Sequence, residues 1–182
     1  MKARNIPAIT GVMGFILGVV LTPVFLASQI LEPELLPPSN KIEGTLAHIA
    51  FAVHDVDKTA AAFEDIFGIE INPGFDVKGV AFPPSYGGAT MNVKFTQFEA
   101  NGVRFELLQP LDGPDDVRSP WKDFLEKHGE GVQHIGFYVA NTPEAREMLI
   151  SKGGKWTQAA APTMSYVDMD PVLPITFEVM QE

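Results

Sequence analysis

Two stretches of the chain alternate large apolar residues with small or polar ones, which is the pattern of a half-buried β-strand. They read H-I-A-F-A-V from His48 and H-I-G-F-Y-V from His134. Because successive strand side chains point to opposite faces, each histidine faces away from its Ile and Phe neighbours. Two further runs, F-E-L-L-Q and F-E-V-M-Q, place Glu106 and Glu178 in the same way. The chain therefore carries one pattern twice, with a histidine near the start of each copy and a glutamate near its end.

A helix is predicted after each histidine strand. Asp55 or Asp57 can cap the first helix, which is expected to end at Gly68 because glycine tolerates the left-handed conformation found there. In the second copy Thr142 is the expected N-cap, and Pro143 takes the first helical position. The two copies thus share the order strand, then helix.

Short apolar runs follow each helix and predict three more strands per copy. These runs cover residues 69–71, 91–98 and 103–108, then 155–159, 165–169 and 175–180. Residues 72–90 are rich in glycine and proline and are expected to form a long loop over the sheet. An additional helix, capped by Ser119 over residues 120–127, lies between the copies. The predicted fold class is α+β, with two tandem β-α-β-β-β modules at about residues 45–115 and 130–182 of one domain, residues 45–182.

The first 31 residues have a different character. Lys2 and Arg4 precede residues 6–31, which contain no charged side chain. An apolar helix of this length can cross a bilayer, at about 1.5 Å rise per residue. A cleaved signal peptide and an uncleaved membrane anchor are the alternatives, and the length of the run favours the anchor. Since basic residues resist translocation, the rest of the chain is expected on the extracytoplasmic side, membrane-anchored or secreted.

Residues 32–44 are proline-rich and are predicted to be a linker.

Charge and cysteine content exclude several classes of function. The net charge of the chain is −10, and subtracting the +2 of the first 31 residues leaves −12 on the remainder. A domain this acidic is a poor match for nucleic acid or an anionic membrane surface. The absence of cysteine excludes thiol catalysis, disulfides and cysteine-type zinc sites.

The duplicated histidine and glutamate form a candidate metal site. A single strand histidine is more often a hydrogen-bonded core residue than a ligand, but its recurrence in matched settings favours metal binding. Two imidazoles and two carboxylates suit one divalent ion such as Fe, Co, Ni, Zn or Mn. The candidate ligands are His48, Glu106, His134 and Glu178.

The chain resembles the vicinal oxygen chelate superfamily. The segments F-E-L-L-Q-P from Phe105, F-L-E-K-H from Phe124 and H-I from His134 are most similar to the methylmalonyl-CoA epimerase branch. The resemblance implies a curved mixed sheet, formed by the two modules around a divalent metal. It also implies four ligands: a histidine matching His48, a glutamine or glutamate matching Glu106, and a histidine and a glutamate matching His134 and Glu178. It also allows a homodimer. On the strand before Glu106 the ionisable residues are Lys94 and Glu99, and neither matches the further acid–base glutamates that epimerases use.

The resemblance implies an enzyme that removes a proton next to a carbonyl group of a small substrate, by epimerase, isomerase or glyoxalase-type lyase chemistry. Glu178 or Glu106 would take the proton by loosening from the metal, as in the lyase branch. One alternative is a non-catalytic binding module, because metal-free relatives with this fold sequester drugs. The other is an Fe(II) dioxygenase, which usually has two histidines and only one carboxylate.

Overall fold

The computed structural model describes residues 40–82, 90–111, 118–161 and 163–182. The predicted N-terminal apolar helix and most of the proline-rich linker lie outside these ranges, so the anchor and the extracytoplasmic location stay predictions. Within the described ranges, no helix is both long enough and apolar enough to span a membrane.

Each copy of the repeat folds as one strand, one helix and three strands. Module one contains β1 (Gly44–Ala52), α1 (Val56–Phe67), β2 (Phe75–Ala81), β3 (Thr90–Ala100) and β4 (Val103–Pro110). Between the modules lies α2 (Pro120–His128). Module two contains β5 (Gly131–Val139), α3 (Thr142–Ser151), β6 (Lys155–Ala161), β7 (Met164–Asp168) and β8 (Thr176–Gln181). The predicted duplication is confirmed.

All eight strands form one mixed sheet in the order β2-β3-β4-β1-β5-β8-β7-β6. The histidine strands β1 and β5 are antiparallel neighbours at its centre. Each is flanked by the parallel glutamate strand of its own module, β4 beside β1 and β8 beside β5. The sheet curves into a half-barrel, so its centre has an inner face and an outer face. This order brings the four repeated residues onto four adjacent strands.

Helices α1 and α3 cover the outer face, where the large apolar residues of the alternating strands point. One core cluster packs around α1 and contains Val53, Val56, Ala60, Ile71, Phe98, Ala100 and Leu107. A second packs around α3 and contains Val139, Met148, Leu149, Val167, Met169 and Val179. Removing this apolar surface from water is the main stabilisation of each module.

Helix α2 lies over one end of the inner face and has no counterpart in the repeat. Ser119 caps it by accepting a hydrogen bond from the Lys122 N–H at 3.0 Å. Its Trp121 is 3 % exposed and packs in an apolar cluster with Ala50 of β1 and Leu108 of β4. Trp121 therefore fills the inner face of module one beside β1 and β4.

The prediction for the segment after α1 was wrong. Residues 69–71 form no strand, since Ile71 packs against α1 and its N–H donates to the Glu64 carboxylate at 2.7 Å. Strand β2 lies instead inside the expected loop of residues 72–90. Its Phe75 is 56 % exposed, and its pairing with β3 is irregular around Gly79, whose φ is 70°. An exposed, bulged strand lacks the alternation that marks a buried one.

The cap of α3 also differs from the prediction. Asn141 is the N-cap, and its side chain accepts from the Glu144 N–H at 3.1 Å. Thr142 is already helical and buried, and its hydroxyl donates to the Thr163 carbonyl at 3.3 Å. Asparagine and threonine both cap helices well, so the sequence alone favoured neither strongly.

Candidate metal centre

The strand registers bring the four repeated residues together at the centre of the inner face. Two small residues leave room for these side chains. Each small residue is paired with a histidine across the antiparallel strands β1 and β5, and with a glutamate on the parallel strand of its own module. The register pairs are Ala50 with His134 and Glu106, and Gly136 with His48 and Glu178. Each glutamate therefore shares a row across the sheet with the histidine of the other module, and one small residue lies between them.

Gly136 leaves the space that the His48 ring occupies. A Cβ atom at this position would lie 2.4 Å from Cε1 and 2.5 Å from Nε2 of His48. Real Cβ atoms essentially never approach heavy atoms so closely. The equivalent residue of module one is Ala50, which is fully buried beside His134. The glycine is thus required by the close approach of a ring.

The four side chains form a compact buried cluster. One potential ligand atom from each residue lies within 4.8 Å of the others. His48 Nε2 is 3.2 Å from His134 Nε2, and His48 Nδ1 is 3.3 Å from Glu106 Oε1. None of the four residues is more than 6 % exposed. We call His48, Glu106, His134 and Glu178 the quartet.

Glu178 is the more enclosed carboxylate, with 2 % of its surface exposed. Its Oε2 lies 2.8 Å from His48 Nε2 and 3.4 Å from His134 Nε2, yet it makes no hydrogen bond of adequate geometry within the described ranges. Burial alone would raise the pKa of Glu178, but its contacts with the two imidazoles outweigh burial and lower that pKa to about 2. An ionised oxygen with unused lone pairs therefore points into the cluster.

Glu106 has a different environment. Its Oε1 accepts a hydrogen bond from the side-chain amide of Gln97, which is itself exposed. Burial raises the pKa of Glu106, and the nearby His48 and His134 rings only partly offset that effect. Glu106 is therefore the carboxylate that takes up a proton more readily.

His48 lies between the two carboxylates. Burial lowers the pKa of an imidazole, but the contact with Glu178 and the charge of Glu106 outweigh burial, so the pKa of His48 is raised above 6.5. A proton on His48 and a metal ion would compete for the same nitrogen lone pair.

The donor set fits a divalent metal ion. Two imidazoles and two carboxylates match the ligand preferences of Fe, Co, Ni, Zn and Mn. A buried carboxylate oxygen without a hydrogen bond is costly unless something satisfies it, and a cation does so directly. The cluster thus has the composition and the unsatisfied oxygen of a metal site.

Sequence reasoning missed two residues that contact the glutamates. Gln97 is opposite Glu106 in the β3–β4 pair, and Tyr166 is opposite Glu178 in the β7–β8 pair. Tyr166 is 7 % exposed, and its ring centre lies 5.0 Å from that of His134. Burial, followed by the charge of Glu178, holds the pKa of Tyr166 well above its ordinary value, so the phenol stays neutral.

A signal for Gln97 was present in the sequence. Asn101 and Gly102, with φ of 53° and 78°, form the two-residue turn between β3 and β4. An Asn-Gly turn fixes the register of a hairpin, and counting back from it pairs Glu106 with Gln97. No comparable turn marks the partner of Glu178.

The other ionisable candidates lie away from the quartet. Lys94 is paired with Asp57 at the start of α1, on the outer side of the sheet. Glu99 is exposed and lies opposite Arg104 in the β3–β4 register. Lys94 therefore lies on the face opposite the quartet, whereas Glu99 shares the inner face with Gln97 and Glu106 and lies beside Arg104.

Away from α2, the inner face is open. Arg104, two residues before Glu106 on β4, is exposed. The Arg104 guanidinium donates to the Tyr138 hydroxyl at 3.3 Å. Its charge opposes protonation of His48, which places it near the quartet. We call Arg104 and Tyr138 the open rim.

Comparison with known proteins identifies the family. A model of the Glyoxalase/Bleomycin resistance protein/Dioxygenase superfamily matches residues 47–166, from β1 into β7. The chain belongs to this superfamily. The matched range includes three members of the quartet, and the resemblance seen in the sequence is confirmed.

Several relatives of this superfamily member are epimerases. The ethylmalonyl-CoA/methylmalonyl-CoA epimerase of Cereibacter sphaeroides is 29% identical over 113 residues, covering 62% of this chain and 73% of that protein. The mitochondrial methylmalonyl-CoA epimerase of Homo sapiens is 32% identical over 99 residues, covering 54% and 48%. An uncharacterised protein of Bacillus subtilis is 30% identical over 92 residues, covering 50% and 55%. The chain thus spans about half the length of two of these three relatives.

Solved structures share the fold. Methylmalonyl-CoA epimerase from Mycobacterium tuberculosis has a TM-score of 0.51 at 19% identity, covering 81% of this chain and 93% of that chain. A hypothetical protein from Bacillus halodurans C-125 has a TM-score of 0.54 at 20% identity, covering 78% and 96%. Identities this low support a common fold and leave the reaction open.

Proposed function

We propose that this protein is a divalent-metal-dependent enzyme that removes a proton from the carbon next to a carbonyl group, as epimerases, isomerases and glyoxalase-type lyases do. The quartet carries the proposal, because one oxygen of its buried, ionised Glu178 has no hydrogen-bond partner among the described residues, while Glu106 contacts the exposed side chain of Gln97. The likeness to epimerases supports the same chemistry.

His48, Glu106, His134 and Glu178 are the residues that would hold the ion. A divalent ion in this position supplies Lewis-acid stabilisation for negative charge on a substrate oxygen. Four such residues differ from the two histidines and one carboxylate typical of Fe(II) oxygenases, which favours the isomerase and lyase reactions.

We assign the proton transfer to Glu106 rather than Glu178. Glu106 is beside the exposed Gln97, and burial favours its protonated form. Glu178 is enclosed by the two imidazoles and Tyr166 and stays ionised, so it is a poor proton carrier at neutral pH. A general base works best when its pKa lies near the operating pH, and Glu106 is the carboxylate shifted in that direction.

The substrate would reach the quartet from the open rim. Trp121 and its apolar neighbours fill the inner face of module one between α2 and the quartet. On the open side, the Arg104 cation is close enough to attract a substrate with a negative group. Because the relatives are named for methylmalonyl-CoA and ethylmalonyl-CoA, 2-methyl-acyl thioesters are the first compounds to test.

The test is solvent deuterium incorporation by the metal-loaded full chain. Methylmalonyl-CoA, an α-hydroxy ketone and a hemithioacetal are incubated separately in D₂O, and exchange of the hydrogen next to the carbonyl is followed by mass spectrometry. We expect exchange with at least one of them, and a Glu106→Gln variant that keeps its metal but exchanges at least about 10²-fold more slowly. If metal-loaded protein binds these compounds without any exchange, the proposal of an enzyme is wrong and a non-catalytic binding module takes its place.

A further inference from the structure

Strands β1 and β5 each contain an extra residue immediately before the quartet histidine. The β1–β5 pairing skips Ala47, which precedes His48, and it skips Gln133, which precedes His134. Such a bulge lets two consecutive side chains lie on nearly the same side of a strand. The duplicated fold thus offers one bulge position next to each histidine, and the two modules fill it differently.

In module two the bulge brings the Gln133 side chain onto His134. Gln133 Oε1 lies 2.7 Å from His134 Nδ1, and its Nε2 donates to the Thr176 hydroxyl at 3.4 Å. Gln133 is 3 % exposed, Thr176 is 6 % exposed and His134 is fully buried. The amide therefore bridges two buried side chains, the Thr176 hydroxyl and the His134 ring.

The contact determines which nitrogen of His134 is available. An amide oxygen only accepts hydrogen bonds, so it favours the tautomer with the proton on Nδ1. The other nitrogen, Nε2, is the one that points into the quartet, 3.2 Å from His48 Nε2 and 3.4 Å from Glu178 Oε2. In this tautomer Nε2 has an unprotonated lone pair directed at the centre.

We propose that Gln133 is a positioning residue that holds His134 in the Nδ1–H tautomer and aims its Nε2 lone pair at the metal position. This inference rests on the metal binding in the proposed function. A metal-ligating histidine commonly donates its second ring N–H to such an acceptor, and loss of the acceptor typically weakens metal binding by about 10–100-fold.

The described part of module one has no equivalent support. The bulge residue there is Ala47, whose methyl group accepts no hydrogen bond. His48 Nδ1 lies instead 3.3 Å from Glu106 Oε1, a member of the quartet itself. His134 is therefore the histidine fixed before a metal arrives, whereas the orientation of His48 depends on Glu106.

The surroundings of Gln133 permit a decisive pair of substitutions. Gln133 and Thr176 line a cavity of about 320 Å³ beside α2, so the site is not sealed against a small change of side chain. Gln133→Met keeps the length of the side chain and removes the acceptor. Gln133→Glu keeps the acceptor, and the Thr176 hydroxyl can rotate to donate to it. Gln109→Met is the matched control, because the Gln109 oxygen accepts from the Val56 N–H at 3.0 Å without contacting a histidine.

The experiment uses the full chain and two measurements. Long-range ¹H–¹⁵N NMR of metal-free protein at about pH 8, where an ordinary imidazole is neutral, reports the His134 tautomer. Competition with a chromophoric chelator reports affinity for Co²⁺. We expect the Nδ1–H tautomer in the wild type, a mixture of tautomers and about 10–100-fold weaker Co²⁺ binding in Gln133→Met, and wild-type behaviour in Gln133→Glu and Gln109→Met.

Two results would overturn the inference. One is an Nε2–H tautomer of His134 in wild-type metal-free protein. The other is a folded Gln133→Glu variant that loses as much Co²⁺ affinity as Gln133→Met. If Gln133→Met fails to fold, a tenfold loss of Co²⁺ affinity in Gln133→Glu would also overturn the inference. A wild type that shows the Nδ1–H tautomer but binds no metal would contradict the proposed function while leaving the orienting contact established.

Discussion

The two modules supply the same pair of candidate ligands but surround them differently. The glutamate of module one has an exposed amide opposite it, Gln97, whereas the glutamate of module two has a buried phenol, Tyr166. Helix α2, which occurs once, covers one end of the inner face and leaves Arg104 at the other end exposed. Duplication thus builds a symmetric quartet, and the unrepeated parts decide which carboxylate is more enclosed and which part of the inner face is covered.

The largest expected difference between the modules is in metal affinity after removal of one carboxylate charge. Glu178→Gln deprives two buried imidazoles of their closest anion, and breaking a buried charged contact typically costs about 3–5 kcal/mol. We expect a loss of two orders of magnitude or more in Co²⁺ affinity. Glu106→Gln should lose less, since Glu106 is farther from His134, at 3.9 Å. Competition titrations of both variants measure the difference, and equal losses would show that the carboxylates are equivalent.

The second comparison concerns the two small residues beside the histidines. Gly136→Ala would place a Cβ atom 2.4 Å from the His48 ring, so the ring or the strand must move. Overpacking of this kind typically costs about 1–3 kcal/mol, and we expect it to appear as lower metal affinity and a lower unfolding temperature. Ala50→Gly is the counterpart in module one and leaves His134 unobstructed. If Gly136→Ala binds metal as tightly as the wild type, the ring placement described here is wrong.

The smallest expected effect is a shift in pH dependence. The pKa of His48 is raised above 6.5, so below that raised value a metal ion must displace a proton. Metal affinity should therefore rise with pH, by up to about tenfold per unit for one displaced proton, and level off above the pKa of His48. Glu106→Gln removes one charge that holds this proton and should move the profile to lower pH. Co²⁺ titrations of the wild type and Glu106→Gln across pH 6–9 measure this pH dependence. An unchanged profile in the variant would show that Glu106 does not raise the pKa of His48.

Much of this architecture could be predicted, because duplication made the signal strong. The alternation around His48 and His134 predicted the central strands and their faces. The repeated runs F-E-L-L-Q and F-E-V-M-Q predicted the positions of Glu106 and Glu178. The exposed and bulged β2 was missed because it has no buried face to reveal. Gln133 was missed because it looks like an outward-facing strand residue until the bulge before His134 is known. Such local irregularities depend on how strands pair, which a single sequence shows only where a turn such as Asn101–Gly102 fixes the register.

The central claim is that the quartet binds one divalent ion. Elemental analysis of the full chain, purified without added metal, tests it most directly when a His48→Ala/His134→Ala double variant is analysed in parallel. The structure predicts about one metal ion per chain in the wild type and none in the double variant, since removal of both imidazoles leaves only two of the four ligands. A wild type that holds no metal, even after reconstitution with Co, Ni, Mn, Fe and Zn, would contradict the claim.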